Sequence, residues 1–213
     1  MQYQYLVILL NMRPEPKTYV IQKINNGFTF GNTTWFRIAT PFPSPSDLDL
    51  DASLNIEEKT GITDTAEAVQ IDKIYIILPD IFEEYQTENN YLIKGWARLF
   101  IKLGVAGDGT NTCYLTKVAF SIGYVDWAGT FYTTITSYAV PNISESATTY
   151  KEFSTQCYTS SIPDTALTRY NNFACRIKVY GYVSAGTGGK IEIIHRRGET
   201  DTYINAFIAP VGV

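Results

Sequence analysis

Three aspartates at alternate positions, Asp47, Asp49 and Asp51, are the residues of this chain whose spacing most resembles part of a metal site. Carboxylate oxygens are good ligands for Ca²⁺, and the spacing imitates the first positions of a calcium-binding loop. The residues that follow lack the glycine and the twelfth-position glutamate of an EF-hand. A solvated acidic loop is therefore favoured over a metal site, and no metal is predicted.

Histidine, a common general base, occurs once, as His195. A Ser-His-Asp or Cys-His mechanism would depend on this one residue, which lies in an expected strand where a packed or surface histidine is the ordinary outcome. The glycine cluster at 186–189 lacks the Lys-Ser/Thr and the following helix of a phosphate-binding loop. The sequence therefore predicts no catalytic residue, no cofactor and no enzyme.

Aromatic side chains on the polar faces of strands are the remaining candidates for binding. Trp96 stands between Lys94 and Arg98 on one such face, where an indole ring could stack on a sugar or a base. An aromatic residue in this position also commonly packs against another sheet or a neighbouring subunit. Both interpretations remain open at this stage. The residues predicted to contact a ligand or a partner are Trp96, Trp127, Tyr180, Tyr182, Asp47, Asp49 and Asp51.

Period-two alternation predicts the strands that must position these side chains. Residues 174–183 alternate apolar and polar positions, the glycines of 185–189 predict a turn, and 190–197 predict a return strand. The two arms are expected to form a long antiparallel hairpin. A second hairpin is predicted for Tyr91–Leu103 and Cys113–Val125, joined at Gly104–Asn111, with a bulge near Gly95.

Three segments interrupt this pattern. Thr40–Thr65 contains Pro41, Pro43 and Pro45, which cannot donate to a sheet ladder, so a long irregular loop is predicted there with a short helical turn at Asn55–Lys59. Pro141–Thr149 and Ser160–Asn172 are also predicted to be loops. Long loops in compact proteins often form contact surfaces, and Thr40–Thr65 and Pro141–Thr149 are the candidates here.

The composition favours an all-β protein with one domain over residues 1–213. The chain has 213 residues, 45% hydrophobic and 14% aromatic, with 16 Tyr and 11 Phe. A chain of this length buries about 70% of its unfolded surface. Long strands with few sizeable connections favour an antiparallel β-sandwich of the jelly-roll type. An immunoglobulin-like sandwich is the alternative, although the Cys…Trp…Cys spacing of antibody domains is not evident.

Charge and cysteine content limit the classes of partner. The formal net charge of -4 lacks the basic excess of a nucleic-acid-binding protein. The three cysteines are too widely spaced for a CxxC pattern, so they are interpreted as buried thiols, with one disulfide and a free thiol as the alternative. Tyr5–Leu10 is too short for a leader or a membrane span, so no membrane insertion is expected.

The ending Gly-Tyr-Val-Ser-Ala-Gly-Thr-Gly-Gly-Lys-Ile-Glu-Ile-Ile-His, residues 181–195, resembles the closing hairpin of small β-sandwich virion proteins. These are capsid, turret, spike and decoration subunits of phages and archaeal viruses. The resemblance implies a jelly-roll subunit that assembles with copies of itself and other virion proteins. It also implies a location in the virion after assembly in the host cytoplasm.

The sequence analysis therefore predicts a non-enzymatic virion structural protein that acts by self-assembly or by docking on a capsid, with rotational symmetry closing the assembly. The alternative is a carbohydrate-binding or adhesin-like lectin module, in which Trp96 and nearby tyrosines stack on sugar rings of a host surface glycan. Neither hypothesis includes a nucleic-acid partner.

Overall fold

The computed structural model describes residues 17–22, 28–30, 34–41, 56–77, 91–126, 128–167, 172–194 and 202–207. Thirteen β-strands make up the regular structure of these residues. Over the same ranges no helix is long and apolar enough to cross a membrane. The strands are β1 (Lys17–Gln22), β2 (Phe28–Phe30), β3 (Thr34–Pro41), β4 (Ile56–Thr60), β5 (Ala68–Ile77), β6 (Tyr91–Ala106), β7 (Cys113–Val125), β8 (Phe131–Ala139), β9 (Ile143–Glu145), β10 (Lys151–Leu167), β11 (Asn172–Val183), β12 (Lys190–Ile194) and β13 (Tyr203–Phe207).

Eight of these strands form the two layers of a β-sandwich. The first sheet has the order β1-β13-β6-β10, and the second has the order β5-β11-β7-β8. Counted along the chain, these strands are 1-8-3-6 and 2-7-4-5, the arrangement produced by two interlocked Greek keys. The predicted all-β jelly-roll sandwich is confirmed, and the immunoglobulin-like order of strands does not fit.

The shorter strands extend and connect the two layers. Strand β3 pairs antiparallel with β1 and, over residues 37–39, parallel with β5, so it joins the first sheet to the second. Strand β12 pairs with the end of β6, and β4 pairs with the outer edge of β12. Strands β2 and β9 add short pairings to β3 and β7.

The core lies between the sheets, on the faces that the alternation of the sequence predicts. On β6, the inward side chains Ala97, Leu99, Ile101, Leu103 and Val105 are fully buried. Strands β7 and β11 supply the facing layer, and the sequence-predicted inward residues of β11 are buried as well. The predicted bulge near Gly95 is confirmed by register shifts in β10 on both sides of its pairing with that glycine.

Both predicted hairpins are wrong as pairings, although their strands exist. Strand β11 pairs with β5 and β7, whereas β12 pairs with β4 and β6. Strands β6 and β7 likewise belong to different sheets. The turns at 107–112 and 184–189 therefore carry the chain across the sandwich, because in a jelly roll each of these connections passes from one layer to the other.

All three segments predicted to be irregular contain strand. Pro141–Thr149 contains the short strand β9, which pairs with β7. Ile56–Thr60 is β4, not a helical turn, because it pairs along the edge of β12. Ser160–Asn172 is not a loop throughout, since β10 continues to Leu167. Strand β10 lies at the edge of the first sheet beside β6, a position that tolerates Pro163 and the register shifts around it.

Candidate functional site

An outward face of the first sheet carries a group of aromatic rings around one arginine. The residues of β6 that alternate with the core positions point away from it, and they are half-buried. Strands β10 and β13 flank β6 and add rings on the same face. We call this group the aromatic–arginine face; its members are Trp96, Arg98, Phe100, Tyr158 and Tyr203.

The rings of this face touch in two pairs across neighbouring strands. Trp96 and Tyr158 have ring centroids 6.3 Å apart and planes tilted by 49°. Phe100 and Tyr203, which are opposite each other in the β6–β13 register, stack with centroids 4.5 Å apart. Tyr158 remains 48% exposed. The face is therefore ordered by ring contacts and still accessible to a binding partner.

Arg98 lies between the rings, and none of the described acidic residues is paired with it. Its guanidinium carbon is 5.1 Å from the centre of the Tyr158 ring and 5.5 Å from that of Phe100. Its Nε atom is buried, and within the described ranges it has no hydrogen-bond partner. The negative faces of the two rings stabilise the cation, but they do not replace the hydrogen-bond acceptor that the buried Nε–H lacks.

Several basic residues elsewhere on the sandwich are paired with acids. Arg176 donates from Nε and Nη2 to the two carboxylate oxygens of Asp72, at 2.6 and 2.5 Å. Lys117 Nζ lies 2.7 Å from Glu67 Oε1, and this hydrogen bond lowers the pKa of the Glu67 carboxyl. Lys102, next to Arg98 on the outward side of β6, is paired with Glu152 at 3.0 Å. Arg98 differs from all of these.

The structure separates the residues that the sequence grouped as candidates. Tyr180 and Tyr182 lie on the outward face of the second sheet, the opposite side of the sandwich from Trp96. Tyr180 lies under Lys117 Nζ at 4.2 Å, and Tyr182 stacks on Tyr114 at 4.6 Å. The other predicted residues, Trp127, Asp47, Asp49 and Asp51, lie outside the residues whose surroundings are described, as does the single histidine, His195.

The turns at one end of the sandwich form a second candidate surface, which we call the crown: residues 61–67, 107–112, 141–150 and 184–189. Backbone hydrogen bonds tie these turns to one another. Gly107 N–H donates to Ala147 O at 2.8 Å and Gly109 N–H to Ser146 O at 2.9 Å. Gly188 N–H donates to Ile62 O at 3.0 Å, and Ser184 N–H donates to Thr112 O at 2.9 Å.

Asp108 fixes the conformation of the crown from within. Its carboxylate accepts N–H bonds from Thr110 at 2.8 Å and from Asn111, whose side-chain amide also donates to it at 2.9 Å. These donors hold the pKa of Asp108 below its ordinary value. The carboxylate also lies against Gly188, where an added Cβ would be 2.2 Å from Asp108 Oδ2. Glycine is therefore required at that position.

A row of carboxyl groups crosses the first sheet just below the crown. Glu192 is opposite Glu58 on β4 and opposite Gly104 on β6, and Gly104 is in turn opposite Glu152 on β10. Glu192 is only 6% exposed. Burial first, and then the neighbouring carboxylates of Glu58 and Glu152, raise the pKa of Glu192. Tyr150 donates a hydrogen bond to Glu58 at the edge of this row.

The three cysteines are buried free thiols, which confirms the favoured interpretation of the sequence. Burial raises the pKa of Cys113 to about 11 and that of Cys157 to about 12. Cys157 Sγ lies 3.7 Å from Val118 O and so bridges β10 and β7 across the core. Among the residues that the structure describes, no group of three or more His, Cys, Asp or Glu side chains could hold a metal ion.

Of the five members of the face, only Trp96 was selected from the sequence; Arg98, Phe100, Tyr158 and Tyr203 were not. The alternation on β6 places Arg98 beside Trp96, so its exposure was readable from the sequence. Tyr158 approaches only because β10 pairs with β6 in the register Tyr158↔Arg98. No local pattern contains that information, because the pairing joins segments far apart in the chain.

No protein-family model matches the chain, and no curated protein matches its sequence. Among solved structures, an α-amino acid ester hydrolase labelled with selenomethionine matches 91% of this chain with a TM-score of 0.50 and 8% identity, over 36% of its own length. A CocE/NonD family hydrolase from Staphylococcus aureus matches 91% at a TM-score of 0.39 and 11% identity, over 41% of its length. The VP2 subviral particle of infectious bursal disease virus matches 78% at 0.30 and 9%, over 41%.

The match to the ester hydrolase corrects one expectation from the sequence. The chain was expected not to be an enzyme, because no catalytic residue was recognised in it. The expectation that the chain is not an enzyme is wrong, because a structure that matches 91% of the chain is part of a hydrolase. At 8% identity the likeness shows a shared fold, and the chain spans 36% of that hydrolase. The chain therefore shares its sandwich fold with one part of a larger hydrolytic protein.

Proposed function

We propose that this chain is a virion structural subunit, a capsid, turret or decoration protein, that acts by assembling with copies of itself or with other virion proteins. The observation that carries this proposal is the crown. Parts of the two segments selected from the sequence as contact loops belong to it: residues 61–65 of Thr40–Thr65, and Pro141–Thr149. They lie at the same end of the sandwich, linked through the turns at 107–112 and 184–189.

The hydrogen bonds of the crown support a role in assembly. A contact surface that is already ordered loses less conformational entropy when it binds than a flexible loop does. In the crown, each turn is bonded to a neighbouring turn, as in Gly109 to Ser146 and Gly188 to Ile62. The surface therefore keeps its shape without a partner, which suits repeated and identical contacts in a closed symmetric assembly.

Light scattering on the purified chain at several concentrations tests this proposal. A discrete oligomer or a closed shell is expected. Thr148→Arg places a charged side chain on the crown and should shift the protein to monomer, because Thr148 is exposed there. Thr133→Arg makes the same change at an exposed site on β8, outside the crown, and should leave assembly intact. A wild-type chain that stays monomeric throughout, alone and with virion proteins, would contradict the proposal.

A carbohydrate-binding module is the second candidate function, and the aromatic–arginine face favours it. Trp96 and the exposed Tyr158 form an angled pair of rings on an open sheet face, and ring faces of this kind stack on the apolar side of sugars. A glycan array with the wild type and Trp96→Ala tests it, with Tyr138→Ala on the second sheet as the matched control. Specific binding should disappear only in Trp96→Ala, and a blank wild-type array would exclude this function.

A further inference from the structure

We propose that the aromatic–arginine face binds a saccharide that carries a carboxylate, which Arg98 holds while Trp96 and Tyr158 contact the sugar ring. The inference rests on the second candidate function, carbohydrate binding, and defines its substrate class. It does not depend on the proposed role of the crown in assembly.

The buried Nε–H of Arg98, which has no hydrogen-bond acceptor among the described residues, is the first argument. Arg176, in the other sheet, is an arginine with hydrogen-bond acceptors, since its Nε and Nη2 both donate to Asp72. Arg98 has ring contacts only, and no acid of the described residues neutralises it. A guanidinium presents a planar fork of N–H donors that matches the two oxygens of a carboxylate. An anionic ligand would supply the partner that the chain does not.

Charge around the site is the second argument. Lys94 and Lys102 each lie four residues from Arg98 on β6. Of these two, Lys102 has a described side chain, and it is compensated by Glu152, while the buried Glu192 lies further towards the crown. Among the described side chains of this ring-lined surface, Arg98 is therefore a positive charge that no acid neutralises. The whole chain carries a net charge of -4, which repels anions in general. Selection of a carboxylate at this point must come from Arg98 itself.

The dimensions of the face are the third argument. Outward side chains on one strand recur about every 6.6 Å, so Trp96 and Phe100 are separated by about 13 Å along β6, with Arg98 midway. This length exceeds that of a single sugar ring. One ring can lie on the Trp96–Tyr158 pair while its carboxylate reaches Arg98. The Phe100–Tyr203 stack then borders the neighbouring sugar unit.

Isothermal titration of three oligosaccharides tests the proposal: an oligogalacturonate, the neutral galactose oligomer of equal length, and a sulfated form of the neutral oligomer. The wild type should bind the oligogalacturonate roughly tenfold or more tightly than the neutral oligomer, because a charge-assisted bidentate contact is added. That preference should decrease as salt is raised. Arg98→Gln should abolish the preference and retain the weak neutral binding. Arg98→Lys, which keeps the charge without the fork, should give an intermediate preference.

Arg176→Gln is the matched control, since Arg176 lies on the opposite sheet, and it should leave the preference unchanged. Circular dichroism and thermal unfolding establish that each variant is folded. If Arg98→Gln fails to fold, the wild-type comparison of acidic and neutral ligands and Arg98→Lys still decide the question. Equal binding of acidic and neutral oligomers would overturn the carboxylate inference and leave carbohydrate binding standing. Preference for the sulfated form would also overturn the carboxylate inference. If none of the three oligomers binds, both the carboxylate inference and carbohydrate binding by this face are overturned.

Discussion

Arg98 and Tyr158 are opposite each other on β6 and β10, and the guanidinium carbon lies 5.1 Å from the centre of the tyrosine ring. The ring takes the place that a carboxylate occupies beside Arg176 and Lys117. The contact stabilises the cation, shields its Nε and leaves the terminal nitrogens to solvent or ligand. Strand pairing has thus placed an unneutralised charge at the centre of an aromatic surface.

Tyr158→Ala should lower the free energy of unfolding by about 1–2 kcal/mol, because it removes a cation–π contact and a ring pair. Tyr138→Ala is the matched control, since Tyr138 is 60% exposed and lies on the other sheet; it should change stability by less than about 0.5 kcal/mol. Urea denaturation followed by tryptophan fluorescence measures both. Equal losses in the two variants would show that the ring contacts of Tyr158 contribute nothing specific.

Gly104→Ala should destabilise the protein by about 1–3 kcal/mol through crowding. The added Cβ would lie 2.5 Å from Glu192 Oε1 and 2.8 Å from its Cγ. The double variant Gly104→Ala/Glu192→Ala should lose clearly less than the sum of the two single variants, because the clash disappears with the glutamate side chain. Chemical denaturation of the wild type, the two single variants and the double variant gives the free energies of unfolding for this double-mutant cycle. Strict additivity would mean that Gly104 is not required for the placement of Glu192.

Glu192→Gln should change how stability depends on pH. Burial and neighbouring carboxylates raise the pKa of Glu192 above its ordinary value of 4.5, so the folded protein favours the neutral acid. Its contribution is therefore most favourable below pH 4.5, and it is lost as pH rises through 4.5 to the folded pKa. Glutamine stays neutral, so the variant should be more stable than wild type at pH 7 and should lack this decline. Thermal unfolding of both proteins from pH 4 to pH 8 checks this prediction. If the stabilities of wild type and Glu192→Gln change with pH in parallel, the prediction is wrong.

The thiols should be unreactive in the folded protein. Burial raises the pKa of Cys113 to about 11 and that of Cys157 to about 12, and it raises the pKa of Cys175 further. Almost no thiolate is then present at pH 8, and the thiolate is the reactive form. Titration with a disulfide reagent should detect no fast-reacting thiol in native protein and all three in urea. Rapid labelling of the native protein would show that the core opens locally.

The sequence predicted which face of a strand each side chain lies on better than it predicted which strands pair. Side chains alternate across a strand by local geometry, so the buried positions of β6 and the outward position of Trp96 could be read from period two alone. Pairing is decided elsewhere in the chain. Strand β7 follows β6 after a glycine-rich turn, as a hairpin would, yet it lies in the opposite sheet because β11 takes the place beside it. The alternation of either strand is the same in both arrangements.

The candidate site was predicted in part for the same reason. Trp96 was identified because its own strand displays it beside Arg98, whereas Tyr158 entered only through the β6–β10 register. Tyr180 and Tyr182 are also outward, as their alternation indicates, but they lie on the other sheet. A list of exposed aromatic residues drawn from sequence therefore mixes the two sides of a sandwich, and only strand order separates them.

The pairing of β1 with β13 brings the first and the last described strands together. Lys17 is opposite Ala206, and β13 runs along β6 away from the crown. The start of β1 and the end of β13 are therefore neighbours, at the end remote from the crown. A tether, a fusion partner or a larger protein could be joined through both connections at once without obstructing the opposite end. The sandwich could be inserted into another chain as a loop is, and a circular permutant that joins the two points should retain the fold.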